Sequence, residues 1–443
     1  MVSPSVDSLH DWRATQRRIL QIAWPVMLSN ITVPLLGLVD AAILGHLPDA
    51  HHLGAVAIGA QLFTILCWSF SFLRMGTTAS SARSVSPAAA LSSLRHSLWL
   101  ALCLAIPIAL AADQLLLPVL LPWMGATALV EQGAQSYLDI RIWSVPAVFV
   151  QYVILGWFIG RGKTRIPLLL MVVTNLVNAT LDYLLVYELG MTSDGVALGS
   201  VCADYTSLVL GLWLVGREGL TRPGGLPPWK VMAPIIQVNR DLFIRTLLLL
   251  SVLGFFHAQG AQQGDLILAA NSLLITLLLL IANALDGFAH AAESLLGQAL
   301  ARCQLQSISA IVWLSGLNSL GMSLLLTLIF VVLDHHLWFA LTNNMALIPV
   351  LEEYQWYLYA LPLAGVGSFW IDGLCIGSGS TRTMRNAMAL SVIGCFLPIW
   401  WFCQPLGNHG LWIAFIALLL ARVVFASGII KGVLYYPRRY TPE

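Results

Sequence analysis

Charge is scarce in this chain. Only 10% of its 443 residues are Asp, Glu, Lys or Arg, against about a quarter in ordinary soluble domains. The sequence is 58% hydrophobic and its mean hydropathy is +0.81, so its apolar runs cannot all be hidden in one soluble core. The formal net charge is +1, and no basic stripe with interleaved aromatics occurs, which speaks against nucleic acid or another polyanionic partner. Cysteine is equally sparse in pattern. The seven (67, 103, 202, 303, 375, 395 and 403) include no C-x-x-C pair, so they read as small apolar fillers rather than metal ligands or a disulfide framework. The first 18 residues are polar and lack an apolar h-region before a small-residue cleavage site, so no signal peptide is expected to be removed.

What the chain does have is long apolar runs. Windows of about 20 residues give twelve spans: 17–45, 53–75, 93–121, 133–160, 165–188, 194–215, 240–260, 265–300, 306–333, 351–376, 385–404 and 408–431. The charges orient them. All but four of the 22 Lys and Arg fall in segments that alternate to one side. The exceptions, Arg74, Arg141, Arg245 and Arg422, lie in spans or at their ends. Asp49, Asp113, Glu131, Glu188, Asp194, Asp265, Asp334, Glu352 and Glu353 occupy the opposite side. The positive-inside bias therefore places both termini in the cytoplasm, in a multi-pass protein of the inner (plasma) membrane.

The second half repeats the first. Ala57-Ile58-Gly59-Ala60-Gln61-Leu62 lies over Ala269-Ala270-Asn271-Ser272-Leu273-Leu274, and Gly160-Arg161-Gly162-Lys163-Thr164-Arg165 recurs as Gly377-Ser378-Gly379-Ser380-Thr381-Arg382. Between the copies, Pro223-Gly224-Gly225 and Pro227-Pro228 break helix formation. The expected organisation is all-α. An N-terminal six-helix lobe (1–216), a cytoplasmic linker (217–240) and a C-terminal six-helix lobe (241–443) are related by a pseudo-two-fold along the membrane normal. Homologous apolar halves are a common plan of secondary transporters, with substrate between them and access alternating by rocking.

Ionisable groups at bilayer depth cost at least about 2.5 kcal/mol each, so each needs a reason. Asp40 follows Pro25 and Pro34 in the first span, and each proline removes a backbone donor and lets the helix bend. Asn178 and Asp182 are four residues apart in span 5 and share a face with Thr174. If Asp40 approaches them, two poorly solvated carboxylates would share a proton and titrate as a pair; helix–helix glue is the plainer alternative. In span 8, Asp286, His290 and Glu293 lie on one face, where relay, cavity wall and structural cluster stay open. Aligned on the repeat, Asp286 replaces Arg74 and Glu293 replaces Ser81. No second His-rich helix supports a metal site there. Asp372 of span 10 falls beside Leu155 and Gly156 of span 4 and is present in one copy only. Asp204 and Asp139 are less clearly deep.

These residues resemble a known family. Trp24-Pro25-Val26-Met27-Leu28-Ser29-Asn30 followed by Asp40 and Leu44-Gly45-His46-Leu47 is similar to the first span of multidrug and toxic compound extrusion (MATE) transporters, and within them to the DNA-damage-inducible F (DinF) branch. Leu73 to Thr78, Leu285 to Glu293 and Ile371 to Gly377 support the match along nearly the whole chain. The resemblance implies a V-shaped pair of six-helix bundles driven by protons or Na⁺. It implies an N-lobe cation site from Asp40, Asp182, Asn178, Tyr137 and Ser200, the last standing where the family has Thr, and bending of the first helix at Pro25.

The reading that follows is a proton-coupled antiporter, monomeric and without cofactor. It would export amphipathic, cationic organic compounds by alternating access, with Asp286, His290, Glu293 and Asp372 as a C-lobe substrate or relay group. Na⁺ coupling is the nearest rival, because the same oxygens suit a small cation. A lipid or lipid-linked precursor flippase is disfavoured, since only Arg141 and Arg245 lie deep enough to hold a pyrophosphate. A polytopic membrane enzyme would need clustered nucleophiles or metal ligands near one face, and would leave the repeat unexplained. A passive channel would need a pore-loop signature in each half, and none occurs.

Overall fold

The computed structural model describes residues 6–44, 51–112, 114, 121, 127–219, 227–342 and 344–441, with backbone only for 6–11, 31–42, 44 and 334–335. Among the described residues it is nearly all helix, with no strand. Helix α1 is Val6–Leu44, α2 His51–Ser69, α3 Phe72–Ala82, α4 Pro87–Ala111, α5 Ala128–Arg141, α6 Val145–Gly160, α7 Arg165–Tyr183 and α8 Ser193–Arg217. The second half comprises α9 Trp229–Gln262, α10 Asp265–Ala301, α11 Leu305–Leu341, α12 Ile348–Gly377, α13 Thr381–Ser391, α14 Leu397–Cys403, α15 Asn408–Ala426 and α16 Gly428–Tyr435. Eleven helical stretches among the described residues are long and apolar enough to cross a bilayer, and they fall on the second to twelfth expected spans. The first expected span, 17–45, lies in α1. The protein is an all-α, multi-pass membrane protein.

Internal packing divides the chain into a unit of residues 28–239 and a unit of residues 1–27 with 240–443. In the first, α3 packs on α6, α2 on α5, and α8 on both α5 and α7. In the second, α10 packs on α12 and α11, and α15 on α12. The core here is largely Leu, Ile and Phe with Trp338 and Trp412. The seven cysteines are free thiols.

The repeated glycine motif shows how sequence becomes geometry. Gly162 and Gly379 have φ of +73° and +75°, a region costly for residues with a Cβ. In each copy the next N–H closes on the helix: Lys163 N donates to Phe158 O at 2.9 Å, and Ser380 N to Cys375 O at 2.7 Å. This is the Schellman end of a helix, made twice by the same sequence pattern.

Glycines also fix the true register of the repeat. A Cβ on Gly156 or Gly160 would collide with the carbonyl oxygens of Arg74 and Thr78, and one on Gly373 or Gly377 with those of Ala289 and Glu293. Helices α3 and α6, like α10 and α12, thus touch backbone to backbone. Ala289 therefore takes the place of Arg74, and Glu293 that of Thr78. This corrects the alignment of Asp286 with Arg74 and of Glu293 with Ser81. The cause is the tight turn between α2 and α3, where Phe70 and Ser71 donate to Cys67 and Trp68; α10 runs through without one.

At the end of α8, Glu218 clamps the α6–α7 turn by pairing with Lys163 and, at 2.9 Å, with Arg161. The Lys163 hydrogen bond, aided by Arg161 and opposed by burial, holds the Glu218 carboxyl below its ordinary value of 4.5. A depressed carboxylate stabilises the fold above its unfolded pKa and loses that contribution as pH falls through the folded one. The stability difference between wild type and Glu218→Gln should be constant above pH 4.5 and shrink below it, by thermal unfolding in detergent.

Candidate functional site

Helix α7 reads almost wholly apolar around one polar stripe, and that stripe faces inward. Asn178 is 1% exposed and Asp182 0%. Helix α8 packs against this face, bringing Ser200, which is also buried. Asn178 Nδ2 donates to Ser200 Oγ at 3.0 Å, while Asn178 Oδ1 is buried with no hydrogen-bond partner among the described residues. The Asp182 carboxylate lies directly over Gly199 of α8, where any Cβ would overlap its Oδ1. Carboxylate, amide and hydroxyl oxygens thus converge in a water-poor place, which suits a proton or a small cation.

Gly199 was not legible as a site residue, since a glycine that admits a neighbouring side chain leaves no local signal. Gly199→Ala should push the carboxylate out of place and lower transport by at least about tenfold. Measuring transport together with thermal stability separates this from misfolding.

Tyr137 is 3% exposed on α5, with its ring against Gly59 of α2. Pro25 is buried in α1, and Pro34 lies further along the same helix. The side chains of Pro34 and Asp40 lie outside the described residues.

One turn along the same α5–α8 interface is a second buried group. Arg141 pairs with Asp204 at 2.5 Å, bonds Ser144, and lies 4.2 Å over the Phe63 ring. Asp204 is 7% exposed, deeper than its sequence position indicates. An arginine within a span was the available signal, because it demands a counter-charge.

The C-terminal group divides in two. His290 Nδ1 meets Glu293 Oε2 at 2.9 Å, with both residues buried. His290 Nε2 and Glu293 Oε1 have no hydrogen-bond partner among the described residues. Asp286, on the same helix, is half-buried and acts electrostatically on Arg422. Asp372 is held by two arginines: Arg245 at 2.6 Å and Arg422. Asp372 thus contacts both arginines directly, while Asp286 balances the remaining charge through its electrostatic action on Arg422.

A polytopic helical protein with buried, convergent ionisable groups and a doubled helix plan is a membrane transporter. The comparisons give the family. A family model described as MatE matches residues 25–184. The chain is 36% identical to DNA damage-inducible protein F of Escherichia coli (strain K12) over 427 residues, covering 94% of this chain and 92% of that protein. It is 27% identical over 266 residues to the probable multidrug resistance protein NorM of Acinetobacter baylyi, covering 58% of each. Its fold is similar to the crystal structure of the Vibrio cholerae MATE transporter VcmN in the bent form, with TM-score 0.84, 19% identity, and 98% and 100% of the two chains covered. The chain belongs to the MATE family of multidrug and toxin extrusion transporters, in its DinF branch, and is not an enzyme.

Proposed function

We propose that this protein is a proton-coupled antiporter that exports amphipathic, cationic organic compounds, working as a monomer in the inner membrane with both termini cytoplasmic. The observation that carries the reading is the fully buried Asp182 beside the Asn178–Ser200 bond. A carboxylate so placed is costly when ionised and cheap when protonated, so its proton occupancy is coupled to any repacking of the helices around it.

Asp40, four residues short of the end of α1, is the proposed second acid, and Tyr137 completes the group. Protons entering from outside neutralise the acids and let α1 bend at Pro25, and substrate leaves. Their release on the other side restores the charge that attracts the next cation. Such exchange requires that proton and substrate favour different states, since a ligand shifts an equilibrium only by its differential affinity.

Na⁺ is the second reading, favoured by the open Asn178 Oδ1, an oxygen suited to a hard cation. A flippase for lipid-linked pyrophosphates gains no support, because Arg141 and Arg245 are both committed to acids. In the C-terminal unit, the His290–Glu293 pair is the proposed relay, while Asp372 and Asp286 are proposed to serve substrate or relay only through their arginine partners.

The test uses purified protein in liposomes loaded with a fluorescent organic cation, with a proton gradient and a Na⁺ gradient imposed separately. Transport driven by the proton gradient alone is the expected result. A requirement for Na⁺ reassigns the ion, and no transport under either gradient overturns the antiport reading.

A further inference from the structure

Helix α10 ends in a turn that the sequence makes unusually. Gln304 N donates to Ala299 O at 2.9 Å and Cys303 N to Leu300 O at 3.2 Å, the same Schellman ending that elsewhere uses glycine. Here Cys303 takes the left-handed position, with φ +55°. The turn delivers Arg302 and Gln304 to the rim of a cleft lined also by Thr15 and Arg18 of α1, Gln298 of α10 and Ser307 of α11. Among the described residues lining this cleft none is Asp or Glu.

Both arginines of the cleft, Arg18 and Arg302, are exposed. Arg302 is close enough to Arg18 for the two to repel. Among the described residues the Arg302 guanidinium has no hydrogen-bond or ion-pair partner, and Arg18 donates to a neutral amide, Gln298 Oε1, at 3.2 Å. Helix α11 starts at the same place, with no acidic residue in its first turn and no side-chain cap on its N–H groups. An uncapped helix N-terminus carries partial positive charge and free donors. Thr15 of α1 lines the wall of the same cleft, and its hydroxyl adds a neutral donor beside the two guanidiniums.

The geometry points to a phosphate-binding site in this cleft, with Arg18 and Arg302 as the paired cations and Thr15, Ser307 and the start of α11 as donors. Every group named is a donor able to serve one tetrahedral anion, and guanidinium–phosphate bonds are the strong, charge-assisted kind. The cleft lies where α10 ends and α11 begins, two helices long and apolar enough to cross a bilayer, so a lipid headgroup is one source of phosphate there. The phosphate of an anionic phospholipid and free phosphate share the required chemistry. Occupied, the site would tie Thr15 and Arg18 of α1 to α10 and α11, holding the start of the helix that carries Pro25.

The experiment uses the full chain in neutral detergent and titrates dioctanoyl phosphatidylglycerol or inorganic phosphate. Binding is read by native mass spectrometry and thermal shift. Saturable binding is expected, weakened about a hundredfold in an Arg18→Gln, Arg302→Gln double variant, since each lost charged bond accounts for about tenfold. Preference for the phospholipid assigns the site to the bilayer, and equal or better binding of inorganic phosphate assigns it to a soluble ligand; both support the site. Should the double variant fail to fold, Thr15→Val and Ser307→Ala, which keep both charges, should each weaken binding several-fold. Unchanged affinity in the folded variants, or no saturable binding of either probe, overturns the proposal. Liposome transport by the same variants is expected to persist, so failure of this site and failure of the antiport reading are separable.

Discussion

Asp182→Asn is expected to give a protein that folds, inserts and has lost proton-driven export. The substitution keeps the shape of the side chain, so the fit over Gly199 and the packing of α7 on α8 remain. What disappears is the titration. In the proposed cycle the acid is neutral in one state and charged in the other, and the free-energy difference between these drives the helices past each other. An amide is neutral in both and contributes no differential term. Export against a gradient should fall roughly a hundredfold, equivalent to removal of about 2.8 kcal/mol of differential affinity. Thermal stability should hold or rise slightly, because an ionisable group at 0% exposure has been replaced by one with no charge to desolvate. The measurement is uptake of a fluorescent cation into liposomes under an imposed proton gradient, with unfolding followed on the same preparation. Wild-type export from the folded variant would remove Asp182 from the coupling site. Asp40→Asn tests the proposed partner in the same way, and a double variant no worse than either single one would show that the two acids act as one unit.

Much of this architecture was legible because a bilayer imposes simple rules. Apolar runs of span length, arginines on alternate segments and the doubled glycine motif suffice for the helices and their ends, since each is a local property. The common face of Asn178 and Asp182 was equally local, following from a separation of four residues on one helix. Other features are tertiary. Ser200 is a different helix from Asn178, and no spacing within either announces the 3.0 Å bond between them; only the family resemblance pointed to it. Arg141 and Asp204, or Arg245 and Asp372, are far apart in sequence. Composition says that a deep arginine needs a counter-charge, but the choice of acid depends on which helices pack together. The register of the repeat failed for a related reason. A short tight turn at Phe70 and Ser71 displaces everything after it, and similarity among small and apolar residues is too weak to reveal the displacement. Glycine is the least legible of all. Gly199 and Gly377 matter because of the atoms facing them, which belong to other helices.

Asp372→Ala is the second change expected to have a large effect, and it acts on the fold first. Asp372 accepts from both Arg245 and Arg422, and Arg422 is 3% exposed. Removing the acid leaves two guanidiniums in one place and, among the described residues, the half-buried Asp286 to offset them. Breaking a buried pair from one side costs about 3–5 kcal/mol, enough to unfold or mislocalise many membrane variants. Thermal unfolding in detergent should show a clear loss, and a smaller one for Asp372→Asn, which keeps an acceptor but not the charge. Replacing the whole group separates scaffold from mechanism. A quadruple variant, Asp372→Leu and Asp286→Asn with Arg245→Met and Arg422→Met, removes all four charges, and apolar replacement of a buried ionic cluster is often neutral or stabilising. Its stability should therefore return to near the wild-type value. If proton-driven export returns with it, the cluster only holds α9, α12 and α15 together. Stability without export would mean that these charges take part in the transport cycle, and that the C-terminal unit contributes more than a frame to a site built in the other half.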